Sequence, residues 1–188
     1  MQNLLGVVLA GGESKRMGSD KGLLPIEDTI WAKYVANKIT SFTKHIVFSV
    51  NNMQLENYSN YIADTDLVVD SVDVQGPLKG LLSVHQAYPQ QDLLLLACDM
   101  LDLDEITIET MTRLYQQEKD FDFYVYQDTE FAQPFCGIYT AKGLSAILKK
   151  ATAHSITKFS LQQVLNEGNT KRLPVINPKV FRNYNEPV

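Results

Sequence analysis

The chain has 188 residues, 45% of them hydrophobic and 21% charged, which suits one globular domain with a sizeable core. Its net charge of -5 excludes a surface built for nucleic acid, which needs a broad basic face, and still allows a small basic pocket. Cys98 and Cys136 lie far apart, without the spacing of a zinc site or redox motif, and read as buried thiols of a reducing compartment.

Taken in chain order, Leu4 to Leu9 is a short Val/Leu run stopped by Gly11 and Gly12, which favours a strand buried on both faces. The N-terminal apolar run is about half the roughly 15 to 30 residues of a signal peptide, and nothing approaches the ~20-residue span of a membrane helix. The cytoplasm is the expected location, with no membrane partner. Residues 29–42 (TIWAKYVANKITSF) place Ile30, Tyr34, Val35, Lys38 and Ile39 near a helical period, with Asp28 or Thr29 as the cap. HIVFSV (45–50) and DLVVD (66–70) are the next strands, and QGPLKGLLSVHQAY (75–88) is a helix with Pro77 in its first turn. The unbroken run Leu93 to Leu96 in DLLLLACD suits a central parallel strand. EITIETMTRLYQQEKD is helical with Asp102 or Asp104 placed to cap it. Strands DFYVYQ and PFCGIYT follow, then helices AKGLSAILKKA and SLQQVLNEG, and a polar tail, FRNYNEPV, without a closing helix.

This alternation predicts an α/β, Rossmann-like three-layer fold with a mostly parallel central sheet, because parallel strands need crossover connections. Ligands on such sheets bind outside the carboxyl ends of the strands. A single domain over residues 1–188 is expected, with the C-terminal third richer in aromatic strand segments.

The loop LAGGESKRMGSDK (9–21) follows the first strand directly. Its glycines let backbone amides approach a ligand, and Lys15, Arg16 and Lys21 add cations, a combination suited to phosphate. The loop has neither G-x-G-x-x-G nor the Lys-Ser/Thr pair of a P-loop. Alone it fits either a phosphate site or a surface turn. Asp99 closes the LLLLACD strand at the same sheet edge. A carboxylate beside phosphates calls for a hard cation between them, and Mg²⁺ is usually held by one or two carboxylates plus substrate phosphates. A strand-end Asp capping the next helix is the competing reading, for which Asp102 and Asp104 are better placed. In DSVDVQGPLKG (70–80), Gly76 and Pro77 fix a turn into a helix and Gly80 allows close approach to the sheet or to a flat ligand such as a nucleobase. An ordinary strand-to-helix connection reads the same way. The histidines, His45, His85 and His154, sit in unrelated contexts. HSITK (154–158) would bring Lys158 near an anionic substrate.

LAGGESKRMGSDKGLLP, DSVDVQGPLKGL, ACDM, AQPFCGIY and FRNYN occur in an order and spacing that resembles the molybdenum cofactor guanylyltransferase (MobA) family of the nucleotidyltransferase superfamily, over Gly6 to Asn185. The resemblance implies a nucleotide-diphospho-sugar transferase-like fold, with residues 1–100 as a GTP-binding half and 101–188 as a molybdopterin-side half. It implies transfer of GMP from GTP to Mo-molybdopterin, giving Mo-molybdopterin guanine dinucleotide and pyrophosphate, with Mg²⁺ as cofactor. Leu9, Ala10 and Gly11 would then line the GTP site through backbone groups, with Gly12 completing the turn. Arg16 and Lys21 would neutralise the triphosphate, and Asp99 would bind metal and GTP; these three form the implied catalytic set. Asn51 and Asp70 would contact the nucleoside beside Gly76, Pro77 and Leu78. Gln133, Pro134, Asn183 and Asn185 resemble motifs of the pterin side. The partners implied are GTP and the molybdopterin cofactor, with room for transient contact with cofactor-loading proteins or molybdoenzymes. The sequence departs from the family pattern at Leu101, where CDM is often followed by proline, in the turn Glu27-Asp28-Thr29, and in the tail after Asn185. A related cytidylyltransferase, a sugar-phosphate nucleotidyltransferase and a non-catalytic cofactor carrier are the alternatives.

Overall fold

The computed structural model describes residues 4–11, 20–153 and 160–184. Strand β1 (Leu4–Leu9) is followed by a 3₁₀ turn (Lys21–Leu23), a hairpin of β2 (Pro25–Ile26) and β3 (Thr29–Ile30), and helix α1 (Trp31–Asn37). Next come β4 (Ile46–Val50), α2 (Leu55–Ser59), β5 (Leu67–Val69), α3 (Pro77–Ala87) and β6 (Asp92–Ala97). The remainder comprises α4 (Glu105–Gln117), β7 (Phe123–Gln127), β8 (Ala132–Tyr139), α5 (Ala141–Thr152), α6 (Leu161–Glu167) and β9 (Thr170–Pro174). Seven strands form one sheet in the order β5-β4-β1-β6-β8-β7-β9. Only β8 runs against its neighbours, pairing antiparallel with β6 and β7, while the other pairs are parallel. This is the mostly parallel, three-layer α/β architecture that the alternation predicts.

Two apolar cores flank the sheet. Because side chains alternate along a strand, Leu94 and Leu96 enter the core shared with Trp31, Val35 and Ile108, while Leu93 and Leu95 enter that of Leu81, Leu82 and Leu144. All four leucines are fully buried, as a central strand covered on both faces requires. Helix starts follow local chemistry. Asp104 accepts the Thr107 N–H at 2.8 Å, Thr140 accepts that of Gly143 at 3.1 Å, and Ser160 accepts that of Gln163 at 3.2 Å, each satisfying an amide without an intrahelical partner. Pro77 occupies the first turn of α3.

Three details depart from the sequence expectations. The helix expected over 29–42 begins only at Trp31 and ends at Asn37, because Thr29 and Ile30 pair with Ile26 and Pro25 as a hairpin. Asp28 and Thr29 therefore do not cap it, and the preceding residue, Ile30, makes no side-chain cap. Glu27 takes φ 48° in the hairpin turn, a left-handed conformation that glycine adopts without cost. Finally, Thr170–Pro174 is a strand, added parallel to β7 with only Leu173 buried. A polar edge strand of this kind carries little hydrophobic signal.

Candidate nucleotide site

The parallel strands β5, β4, β1 and β6 direct their carboxyl ends to one edge, where a cavity of about 820 Å³ opens. Of the residues implied as nucleotide contacts, Leu9, Gly11, Asn51, Asp70, Gly76 and Pro77 line it. Leu78 and Ala10 do not: Leu78 is fully buried in the core beneath α3, on the inward face of the first helical turn, and Ala10 is buried in the core on the α1 side of the sheet. Ser49, Asn52, Met53, Gln75, Lys79 and Gly80 also line the cavity. Sequence reasoning passed over Ser49, Lys79 and Met53, the last of which is 90% exposed at the rim.

The role of the first glycine turn changes in detail. The Ala10 and Gly11 amides both donate to the Ser49 carbonyl, at 3.0 and 2.9 Å, so neither is left to bind a ligand anion. Parallel pairing of β1 with β4 places that carbonyl within reach of both. What Gly11 contributes is space: among the described residues beyond its chain neighbours, the nearest atom to a Cβ there would be the Ser49 carbonyl oxygen at 3.6 Å, and the position opens onto the cavity. Gly12 and Arg16, expected on this loop, lie outside the described residues, as do Asn185, His154 and Lys158.

Gly80 packs differently. A Cβ there would sit 2.3 Å from Ser49 Oγ and 3.0 Å from Leu9 Cδ2, so its absence lets α3 close against β1 and β4. Ser49 Oγ reaches toward Asp70 Oδ1 at 3.5 Å, the outer limit of a hydrogen bond. Burial pushes the Asp70 carboxyl above the usual aspartate range, opposed by nearby Lys79 and by the Ser49 hydroxyl. Gly76 adopts φ 71°, ψ -165°, a region essentially reserved for glycine, and so turns the chain from β5 into α3 along the cavity wall.

Beside the cavity, Lys21 Nζ donates to Asp99 Oδ2 at 3.0 Å, with the two side chains only 20% and 17% exposed. The pair joins the exit of the glycine loop to the end of β6, bringing together residues 78 positions apart. Asp99 is further fixed by its backbone: its carbonyl accepts the Tyr184 N–H at 3.2 Å, and the neighbouring Cys98 N–H donates to the Leu9 carbonyl at 3.1 Å. Tyr184 also donates to Asp102 at 2.8 Å and meets Trp31 edge to face. The tail thus returns to the site, and Asn183, exposed, precedes the residue bonded to Asp99. Leu101, standing where proline is common, buries its side chain in the α1-side core, and the Met100 N–H donates to the Ala97 carbonyl at 3.2 Å to close the turn.

Gln133 and Pro134 lie at the start of β8. Leu96 pairs with Cys136, so the start of this reversed strand reaches the same edge as Cys98 and Asp99. Pro134 is tolerated inside the sheet because the β7–β8 register shifts between Val125 and Tyr126, a bulge of the kind that accommodates a missing N–H. The Pro134 carbonyl accepts from Tyr139 at 2.7 Å and Gln133 donates to Asp128 at 3.3 Å.

Asp99, partly exposed at this edge, would suit Mg²⁺, which binds through one or two carboxylates plus substrate phosphates. Among the described residues no group of three or more His, Cys, Asp or Glu could hold a metal. His85, buried on α3, pairs with Ser145 at 3.0 Å and is pushed toward the neutral form by desolvation. No helix among the described residues is long and apolar enough to cross a membrane.

The sheet order and this edge define an α/β protein with a nucleotide-diphospho-sugar transferase-like fold and a cavity at the carboxyl ends of the parallel strands. The chain belongs to the MobA-like NTP transferase family, whose model matches residues 6–168. It is 31% identical over 160 residues to the molybdenum cofactor guanylyltransferase of Pseudomonas putida, covering 85% of this chain and 80% of that one. It is 27% identical over 146 residues to a molybdenum cofactor biosynthesis bifunctional protein of a Synechocystis species, 78% of this chain but only 42% of that longer protein. In structure it resembles molybdopterin-guanine dinucleotide biosynthesis protein A of Archaeoglobus fulgidus, with a TM-score of 0.77 at 19% identity over 97% of this chain and 93% of that one.

Proposed function

We propose that this protein transfers GMP from GTP to the terminal phosphate of Mo-molybdopterin, releasing pyrophosphate. The observation that carries the reading is the Lys21–Asp99 pair at 3.0 Å, a cation and a carboxylate set beside a nucleoside-sized cavity at one sheet edge. The P. putida relative bears this activity in its name.

In the reaction, a phosphate oxygen of the pterin substrate attacks the α-phosphorus of GTP, a new P–O bond forms, and the α–β bridging P–O bond breaks to release pyrophosphate. The nucleophile is already ionised, so no protein base is required. The chain's share is positioning and charge stabilisation. The cavity walls at Leu9, Gly11 and Gly76 hold the nucleoside, and Asn51 and Asp70 supply its polar contacts. Lys21 offsets negative charge on the leaving phosphates, joined by Arg16. Asp99 would hold Mg²⁺, which would supply Lewis-acid stabilisation of that charge. The pterin substrate lies toward Gln133, Pro134, Asn183 and Asn185, within the 101–188 half of a single-domain enzyme. Such an enzyme works in the cytoplasm and meets molybdoenzymes or cofactor-loading proteins transiently.

The test is pyrophosphate release with loaded cofactor and Mg²⁺ across GTP, CTP, ATP and UTP. Preference for GTP is expected. Preference for CTP identifies a cytidylyltransferase instead, and nucleotide binding without turnover identifies a carrier.

Asp70 adds a pH signature. As an acceptor for nucleoside donors it must be ionised, so GTP affinity weakens as pH falls through its raised pKa, at a higher pH than for an ordinary aspartate. Its effect on folding has the opposite sign. The folded state binds the proton more readily than the unfolded chain, so this contribution to stability is fully present below the unfolded pKa and is lost as pH rises through the folded one. Titrating GTP affinity between acid and neutral pH in the wild type and in Asp70→Asn checks the assignment, and the variant should lack this pH-dependent step.

A further inference from the structure

A polar cluster behind the Lys21–Asp99 pair belongs to none of the groups that touch nucleotide. Gln54 is buried and makes three contacts: its Oε1 accepts the Asn51 N–H at 2.9 Å, and its Nε2 donates to the Ala10 carbonyl at 3.1 Å and to Asp20 Oδ2. Tyr58, fully buried one helical turn later, donates its hydroxyl to Asp20 Oδ1 at 2.9 Å. The same oxygen accepts the Gly22 N–H at 3.0 Å and so caps the 3₁₀ turn that carries Lys21. Burial, with lesser contributions from Cys98 and Asp20, pushes the Tyr58 phenol far above its usual range, so it remains a donor at every working pH. Gly22 has no side chain for a spatial reason: a Cβ there would lie 2.1 Å from the Tyr58 hydroxyl.

Asp20 therefore has both carboxylate oxygens occupied by donors more than thirty positions away, one from Tyr58 in helix α2 and one from Gln54, the residue that precedes that helix. A half-buried carboxylate with both oxygens held this way is fixed in space, because releasing it forfeits charge-assisted hydrogen bonds. Its neighbour in sequence is Lys21. We infer that Gln54 and Tyr58 are positioning residues: by clamping Asp20 they fix the 3₁₀ turn and hold the Lys21 ammonium on Asp99. Gln54 also joins that clamp to Asn51 on the cavity wall, so one side chain links the nucleoside end of the site to its phosphate end.

Only the kinetic arm of the test rests on the guanylyl-transfer reading; a chemical arm is independent of it. Tyr58→Phe removes one oxygen, and Gln54→Glu replaces the amide donor with a second carboxylate facing Asp20. In the absence of nucleotide, acetylation of Lys21 by acetic anhydride is read by mass spectrometry against Lys142, whose side chain is 82% exposed. Release of the clamp should raise relative Lys21 labelling by about fivefold, the scale of one lost hydrogen bond. In the GTP assay, Tyr58→Phe should lower kcat by a similar factor with KM for GTP nearly unchanged, whereas general loosening of the fold would move both together with the thermal midpoint. Unchanged Lys21 labelling in both folded variants overturns the inference, whatever the activity. Raised labelling in the variants, together with a wild-type protein that does not turn over GTP, leaves the clamp standing and removes the guanylyl reading. If Gln54→Glu fails to fold, Gly22→Ala, which pushes the Tyr58 hydroxyl off Asp20, takes its place under the same criteria.

Discussion

Replacing Asp99 by asparagine is expected to reduce pyrophosphate release from GTP by about 10² to 10³-fold, the range seen when a preorganised electrostatic contact is removed. The substitution keeps the shape and removes the charge. Its backbone is held independently, by the Tyr184 N–H on the Asp99 carbonyl and by the Cys98 N–H on Leu9, so the end of β6 should stay in place. The lost ion pair with Lys21 is mostly buried, its side chains 20% and 17% exposed, so its removal costs more than the about 0 to 1 kcal/mol of an exposed pair. The thermal midpoint should fall in a protein that still folds, while turnover collapses. The two measurements belong together, because activity near that of the wild type in a folded Asp99→Asn protein would remove Asp99 from the metal and triphosphate role. Lys21→Met should give a loss of comparable order, since it strips the cation from the other side of the same contact.

The second large effect is expected at Gly76. Its φ of 71° and ψ of -165° form a combination that costs a residue with a Cβ about 1 to 3 kcal/mol. Pro77 follows immediately and fixes its own φ, so the strain of Gly76→Ala cannot relax into the helix and must move Gln75 and the cavity wall instead. GTP affinity should fall about 5 to 150-fold, the equivalent of that strain in a binding constant, with a smaller change in kcat at saturating nucleotide. Calorimetric titration with GTP and Mg²⁺ measures it. Unaltered affinity in a folded variant would place the nucleoside elsewhere on the edge.

Much of this site could be read from short stretches of sequence. Leu93 to Leu96 announced a doubly covered central strand, and Asp99 at its end marked the edge beside which the cavity opens. Pro77 and Asp104 marked helix starts through local capping rules, which need no knowledge of tertiary packing. Other features depend on distant partners. Ala10 and Gly11 looked like free amide donors, and only the pairing of β1 with β4 shows that Ser49 takes both. Leu78 shared a motif with Gly76 and Pro77, but one helical position turns it into the core. Thr29 and Ile30 fitted the following helix by period and were claimed by a two-residue strand. Gln54 and Tyr58 sat in the polar stretch MQLENYSNY with no motif to flag them, because their function as a clamp exists only once Asp20 is folded against them.

The edge-to-face contact between Trp31 and Tyr184, with ring centroids 6.2 Å apart, has an optical consequence. Trp31 is the chain's single tryptophan, and the residue it touches holds the carbonyl of Asp99. Its indole is therefore a built-in fluorophore one residue removed from the backbone of Asp99, and its emission is expected to report ligand arrival at that strand end in the native chain without attaching a dye.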